Sequence, residues 1–224
     1  MTARVVVMTG DYTCVATSPR GMLRAMQRAA WIAITALAAC GGSPATVGHH
    51  AGAAAGEIRG VDWQNRTYDV DELGPVAVHA GQADFAITED GKAAAAGPSR
   101  GSYRVAPPLF ADLDGDGVED AVIASVTGLG GTGMFSQIEL FTIRDHKVAP
   151  LGAIPGGDRG DGGIRKVSLA GAALIVERNV LAEGDGTCCA STYQVERWVW
   201  KRGGHGEMAE DTAARKPPVP IPEP

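Results

Sequence analysis

Glu119–Thr127 reads EDAVIASVT, and its side-chain order decides the fold class. Ala121, Val122, Ile123, Ala124 and Val126 make it apolar on both faces of an extended chain, with Ser125 the exception. Such a run belongs in the middle of a sheet rather than at its edge. Similar short segments lie on either side, separated by Gly, Pro and Asp: Tyr103–Phe110, Gln137–Arg144, Ile164–Leu169, Ala172–Leu181 and Thr192–Lys201, with Val61–Val70 and Pro75–Val78 earlier. They are enriched in β-branched and aromatic residues and alternate in part, as strands do. In Tyr193–Trp200, Tyr193, Val195 and Val199 share one face with Arg197, while Gln194, Glu196, Trp198 and Trp200 take the other. Gly171 before Ala172 predicts a hairpin. No long helical period appears. The reading is all-β: one domain over residues 57–202, an antiparallel sheet packed as a sandwich or partial barrel.

The segment leading into that central strand is Asp112-Leu113-Asp114-Gly115-Asp116-Gly117-Val118-Glu119-Asp120. Calcium takes six to eight oxygens in a flexible shell, and carboxylates at alternate loop positions converge on one point. Gly117 permits the sharp turn and Val118 offers its backbone carbonyl. An EF-hand would need a glutamate where Ile123 stands, and flanking helices. The loop instead resembles the strand-loop-strand calcium site of FG-GAP (integrin-type) repeats, D-x-D-x-D-G-x-x-D. That resemblance implies side-chain oxygens from Asp112, Asp114, Asp116 and Asp120 and a calcium ion bracing a hairpin. It covers one repeat's loop; Asp69-Val70-Asp71 and Asp158–Gly163 are too degenerate to be further copies. The alternative is a metal-free Asp/Gly turn, in which four carboxylates repel one another unless protons intervene.

Met22–Cys40 reads MLRAMQRAAWIAITALAAC: a basic start at Arg24 and Arg28, an apolar run over Ala29–Ala39, and small residues before a cysteine. This is the layout of a secretory signal. Eleven helical residues reach only about 16 Å, at 1.5 Å per residue, roughly half a ~30 Å hydrocarbon core. Leu37-Ala38-Ala39-Cys40 resembles the lipobox of bacterial lipoproteins. The resemblance implies cleavage before Cys40, lipid on its thiol, and a membrane anchor. With Gly41 rather than Asp next, it points to the outer membrane, facing periplasm or surface. Residues 1–21 make the basic region unusually long, and the simplest account starts translation at Met22 or Met26.

Residues 40–56 (CGGSPATVGHHAGAAAG) read as the lipidated cysteine and a flexible tether, and 203–224, ending KPPVPIPEP, as a disordered Pro-rich tail. Removing residues 1–39 takes four of the 20 basic side chains (Arg4, Arg20, Arg24, Arg28) and one of the 26 acidic ones (Asp11), leaving 16 against 25 and a formal charge of −9. Such a surface repels phosphate backbones, which excludes nucleic acid as a partner.

Other motifs carry less. Gly128-Leu129-Gly130-Gly131-Thr132-Gly133 fits G-x-G-x-x-G, but a strand follows where a dinucleotide site needs a helix; it reads as a glycine loop lining a surface cleft. Arg159-Gly160-Asp161 sits in a Gly-rich turn and matches an integrin tripeptide by chance. Cys188–Cys189 make either a vicinal disulfide or two free thiols. His49, His50, His79, His146 and His205 fall in no recognisable motif, and no nucleophile–base arrangement emerges, so no catalytic residue is assigned.

The span from Phe110 to Trp200 (FADLDGDGVEDAVIASV, GGTGMFSQIELFTI, GGDRGDGGIRKV, TCCASTYQVERWVW) resembles a bacterial envelope domain of unknown function combining an aspartate loop, a GDR-type turn and a late Cys-Cys pair. It implies no activity. The expected protein is a non-enzymatic envelope lipoprotein with a calcium-braced β domain, structural or binding a protein or glycan. The alternatives are a calcium-dependent extracytoplasmic hydrolase and a thiol-redox accessory protein using Cys188 and Cys189.

Overall fold

The computed structural model describes residues 5–8, 14–16, 57–131, 133–187, 189–202 and 206–222. Cys40, the tether with His49 and His50, Cys188 and His205 lie outside them. Two short strands come first, β1 (Val5–Met8) and β2 (Cys14–Ala16), then a hairpin of β3 (Thr67–Val70) and β4 (Gly74–Ala77). Next are β5 (Gln82–Ile87), β6 (Ala93–Ala94), β7 (Ser99–Val105), β8 (Leu109–Ala111), β9 (Asp120–Gly128), β10 (Met134–Arg144) and β11 (Lys147–Asp158). The chain closes with β12 (Ile164–Ala170), β13 (Ala173–Val180), β14 (Thr192–Lys201), β15 (Glu207–Glu210) and β16 (Val219–Pro220).

The protein is all-β. Sheet I has the order β11-β10-β9-β7-β5-β6, with β8 also on β9; sheet II has the order β15-β14-β13-β12-β1-β2, with β16 also on β14. Every strand pair is antiparallel, and one sheet curls into a half-barrel. Apart from β1 and β2, the two sheets are consecutive pieces of chain, and the chain crosses between them at Asp158–Gly163. Val122, Ala124, Val126, Ile138, Leu140 and Ile154 of sheet I meet Ile164, Val167, Leu174 and Val176 of sheet II in one core. A second core lies on the opposite face of sheet I. There Tyr103, Ala121 and Ile123 are covered by Ile58, Trp63, Tyr68, Leu73, Val76 and Val78. β9 is therefore buried on both sides and sits between β10 and β7, which is why it is apolar on both faces. Among the described residues no helix is long and apolar enough to cross a membrane.

The expected strand Val61–Val70 is extended only over Thr67–Val70, β1, β2, β5 and β6 were not predicted, and three further segments depart from the sequence reading. Tyr103–Phe110, read as one strand, is two: Pro107 and Pro108 lack the N–H needed for pairing, so β7 and β8 share the same edge of β9. β11, at 12 residues the longest strand, was not predicted. It holds Pro150, Pro155 and three glycines, tolerable because it is an edge strand with two register shifts against β10. Its hairpin turns on Asp145 and His146, both with positive φ (50° and 60°) and no glycine to announce them. The third departure is the tail. Residues 207–221, read as disordered, run along the outer edge of β14 as β15 and β16. Between those strands, Gln194 Nε2 donates to the Lys216 carbonyl (2.9 Å), and beyond them Ile221 N–H donates to Ser191 (2.8 Å). The domain extends beyond residue 202 because β14 would otherwise leave its edge groups unpaired, and because Met208 packs on the core.

A partly buried carboxylate, Glu139, adjoins the second core. Tyr103 Oη donates to Glu139 Oε2 at 3.0 Å, and burial raises the Glu139 carboxyl above its ordinary range. Arg66 stacks over Trp63, Tyr68 and Phe141, with ring distances of 4.8, 5.3 and 5.2 Å, and its positive charge partly offsets that rise. The folded chain thus holds the Glu139 proton to higher pH than the unfolded chain, so this group's contribution to stability falls as pH rises through and above the ordinary carboxylate range. Glu139→Gln keeps an acceptor for Tyr103 and removes that slope. Urea midpoints of the variant and the native chain should agree near pH 4, with the variant the more stable near pH 7; parallel pH profiles would contradict this.

Candidate functional site

The aspartate loop joins β8 to β9 at one end of the sandwich. Local hydrogen bonds set its shape. Asp112 accepts the N–H groups of Gly115 (2.7 Å) and Gly117 (3.0 Å), Asp114 accepts that of Asp116 (3.1 Å), and Asp116 accepts that of Val118 (2.7 Å). Gly115 and Gly117 both have positive φ, which a side chain would resist. Carboxylate oxygens of Asp112, Asp114 and Asp116 come within 4.8 Å of one another. Two oxygens on opposite sides of an ion that binds each at about 2.4 Å are separated by about 4.8 Å, so the three are close enough to share a cation.

Asp120, the fourth expected ligand, is not in that trio; it begins β9 and is fully buried. Its Oδ2 accepts the Leu113 N–H at 2.9 Å, and the buried Thr142 hydroxyl also stabilises the carboxylate. Burial pushes the Asp120 carboxyl up to about 6, helped by the charges of Asp114 and Asp116. Asp114 is also raised, first by burial and then by its acidic neighbours. Crowded carboxylates with raised proton affinity are what a cation would relieve. Val118 contributes its N–H to the loop's own bonding.

The loop touches three parts of the molecule. Leu113 is buried in the core between the sheets. Arg202, just beyond β14, donates to the carbonyls of Asp114 (3.2 Å) and Gly115 (3.0 Å). Glu119 pairs with Arg59 of the covering segment through both carboxylate oxygens, holding its own carboxyl below the usual range; Arg59 also stacks on Phe110 at 4.7 Å. Sequence reading missed Arg59 and Arg202, and no local pattern marks them: they lie 60 and 87 residues from their loop partners Glu119 and Gly115.

At the far end of β9, the glycine loop lines a half-open groove of about 390 Å³ on the covered face of sheet I. Val70, Leu73, Ile87, Leu129 and Phe135 form its apolar lining. Leu129 and Phe135 are 42% and 46% exposed, two of the three exposed large hydrophobic residues among those described. Gly130 has positive φ, and a Cβ there would come within 2.2 Å of the Arg100 carbonyl. The glycines therefore let the loop press on β7 while Leu129 projects at its tip, and β10 follows where a nucleotide site would need a helix.

The Asp158–Gly163 turn is pinned rather than presented. Asp158 accepts the N–H of Met134 and of Gly160, and Asn179 Nδ2 donates to the Arg159 carbonyl at 2.7 Å. Cys189 is exposed, and its N–H donates to the Gly186 carbonyl at 3.0 Å. The turn before β14 is organised by Asp185, whose carboxylate accepts from Ala182 and Ser191 and is held below its ordinary range by those bonds.

No family model matches the chain. Neither the curated proteins nor the solved structures yield a match.

Proposed function

We propose that the chain is an exported, lipid-anchored envelope protein whose β domain is braced by calcium at Asp112–Asp120 and which binds a partner rather than catalysing a reaction. The observation that supports the calcium reading is the three-carboxylate cluster of Asp112, Asp114 and Asp116, with the Asp114 carboxyl raised by burial and by its acidic neighbours. Asp112, Asp114 and Asp116 would hold the ion, with Asp120 fixing the loop through the Leu113 N–H. Because the loop contacts the sandwich core, Arg202 and Arg59, an ion there would tie both sheets and the covering segment together. Binding is favoured over hydrolysis because the two carboxylates in the groove's lining, Asp71 and Glu72, are neighbours on one turn. A glycosidase needs two on opposing walls, roughly 5–9 Å apart.

Lipid anchoring rests on Met22–Cys40 alone. Two or three acyl chains, at roughly 0.8 kcal/mol per buried methylene, anchor a protein stably. Expressed in a bacterium with labelled palmitate, the native chain should be labelled and sediment with membranes, and Cys40→Ser should lose both properties. An unlabelled native chain, or an unchanged distribution of the variant, would sink the anchoring claim. Cleavage before Cys40 would also remove β1 and β2 and open the β12 edge, so the intact mass of the mature chain reports directly on which edge sheet II keeps.

A further inference from the structure

The groove at the glycine loop needs an occupant, and its surroundings restrict what that can be. Its floor and one wall are hydrocarbon and aromatic, with Leu129 and Phe135 left open to solvent. About 390 Å³ lies near the lower end of the range for pockets that enclose a whole small molecule, roughly 300–1,000 Å³. A half-open volume of that size suits side chains of a longer ligand lying across it. Its lining includes Asp71 and Glu72 and no basic side chain, and the adjoining Thr88–Lys92 turn, which lines it through Gly91, carries Glu89 and Asp90 against Lys92. Lys92 is already engaged, donating from Nζ to the Glu72 carbonyl at 2.7 Å. Glu72 is held with a φ of 65°, a conformation that non-glycine residues adopt at a cost, and it lines the groove.

We propose that this groove is a docking site for a cationic, apolar peptide segment of a partner protein, whose hydrophobic side chains enter between Leu129, Phe135 and Ile87 while its lysines or arginines meet Asp71 and Glu72. The proposal rests on the binding role argued above and names the partner's chemistry; it needs neither the calcium ion nor the lipid. Charge complementarity supplies orientation and a salt-dependent association rate, and the buried apolar side chains supply most of the affinity. An anionic lipid surface is disfavoured by the same rim charges.

The test uses the folded chain and a dye-labelled short peptide alternating lysine with leucine and phenylalanine, followed by fluorescence anisotropy. Two control peptides replace lysine by glutamate, or leucine and phenylalanine by serine. The first peptide should bind, more weakly as salt increases, and each control at least tenfold more weakly. Leu129→Ser with Phe135→Ser should abolish binding, and Asp71→Lys with Glu72→Lys should weaken it at least tenfold. These residues are surface-exposed or on turns, and circular dichroism checks that each variant is folded. Equal binding of the glutamate peptide, binding unaffected by both double variants, or binding only to neutral detergent or anionic vesicles would overturn the proposal. The groove and the aspartate loop lie at opposite ends of β9, about 27 Å apart at roughly 3 Å per residue. Groove variants should therefore keep their calcium response. Should no peptide bind while a chromogenic glycoside or peptide substrate is turned over, the binding role itself fails along with the groove.

Discussion

Calcium added to the chelator-treated protein should raise its melting temperature by about 5–10 °C. An ion that binds only the folded state, present at about 100 times its dissociation constant, stabilises by about 2.7 kcal/mol. Each kcal/mol moves the midpoint of a domain this size by about 2–4 °C. The decisive variant is Asp114→Asn. Without calcium, the Asp114 carboxylate is crowded by Asp112 and Asp116 and partly buried, which raises its proton affinity. Removing its charge should leave the chelated protein at least as stable as the native chain, since the amide oxygen still accepts the Asp116 N–H. With calcium, the variant should lose most of the gain, because one of three converging anionic ligands is gone. A metal-free turn would give the opposite pattern, with no calcium response in either protein. Differential scanning fluorimetry in chelator and in millimolar calcium distinguishes them, and flat midpoints for the native chain would remove the calcium reading.

Arg178→Ala should cost about 3–5 kcal/mol, the penalty for stranding a buried charge. Arg178 Nε donates to Glu196 Oε1 at 3.0 Å, and the two side chains are only 15% and 5% exposed. Glu196 also accepts from Trp198 Nε1 at 2.9 Å, and Arg178 donates a second bond to the Gly162 carbonyl at 2.7 Å. Alanine at 178 leaves the Glu196 carboxylate on the inner face of sheet II beside Val176 and Trp198, and frees the crossover turn. Replacing both partners with Arg178→Met and Glu196→Leu should recover most of the loss, because an apolar pair of similar volume needs no desolvation of charge. Equilibrium urea unfolding reads both. A single variant within 1 kcal/mol of the native chain would mean that water reaches Glu196.

The same pair shows where sequence reading stopped. Alternation in Tyr193–Trp200 separated two faces correctly but could not say which was inner, since each face mixes apolar with charged residues. The inner face is the one with Glu196 and Trp198, because Val176 and Leu174 stand opposite them across β13. On the outer face of the same sheet, Glu177 meets Arg165 and Lys166, and Arg165 stacks on Tyr193 at 4.7 Å. A carboxylate was placed inside only because a guanidinium 18 residues away in sequence could reach it.

Local patterns were enough for the all-β class, for a central strand at Glu119–Thr127, for the hairpin at Gly171 and for the aspartate loop as a unit. Each is encoded within a few residues, by side-chain period or by turn chemistry. Packing alone decided the rest. Pro-containing β11 and the 207–221 segment became strands because neighbouring edges needed partners, a requirement that no residue inside those segments expresses. The groove likewise exists because turns distant in the chain close around Leu129 and Phe135, and the loop's clamps, Arg59 and Arg202, arrive from opposite ends of the domain.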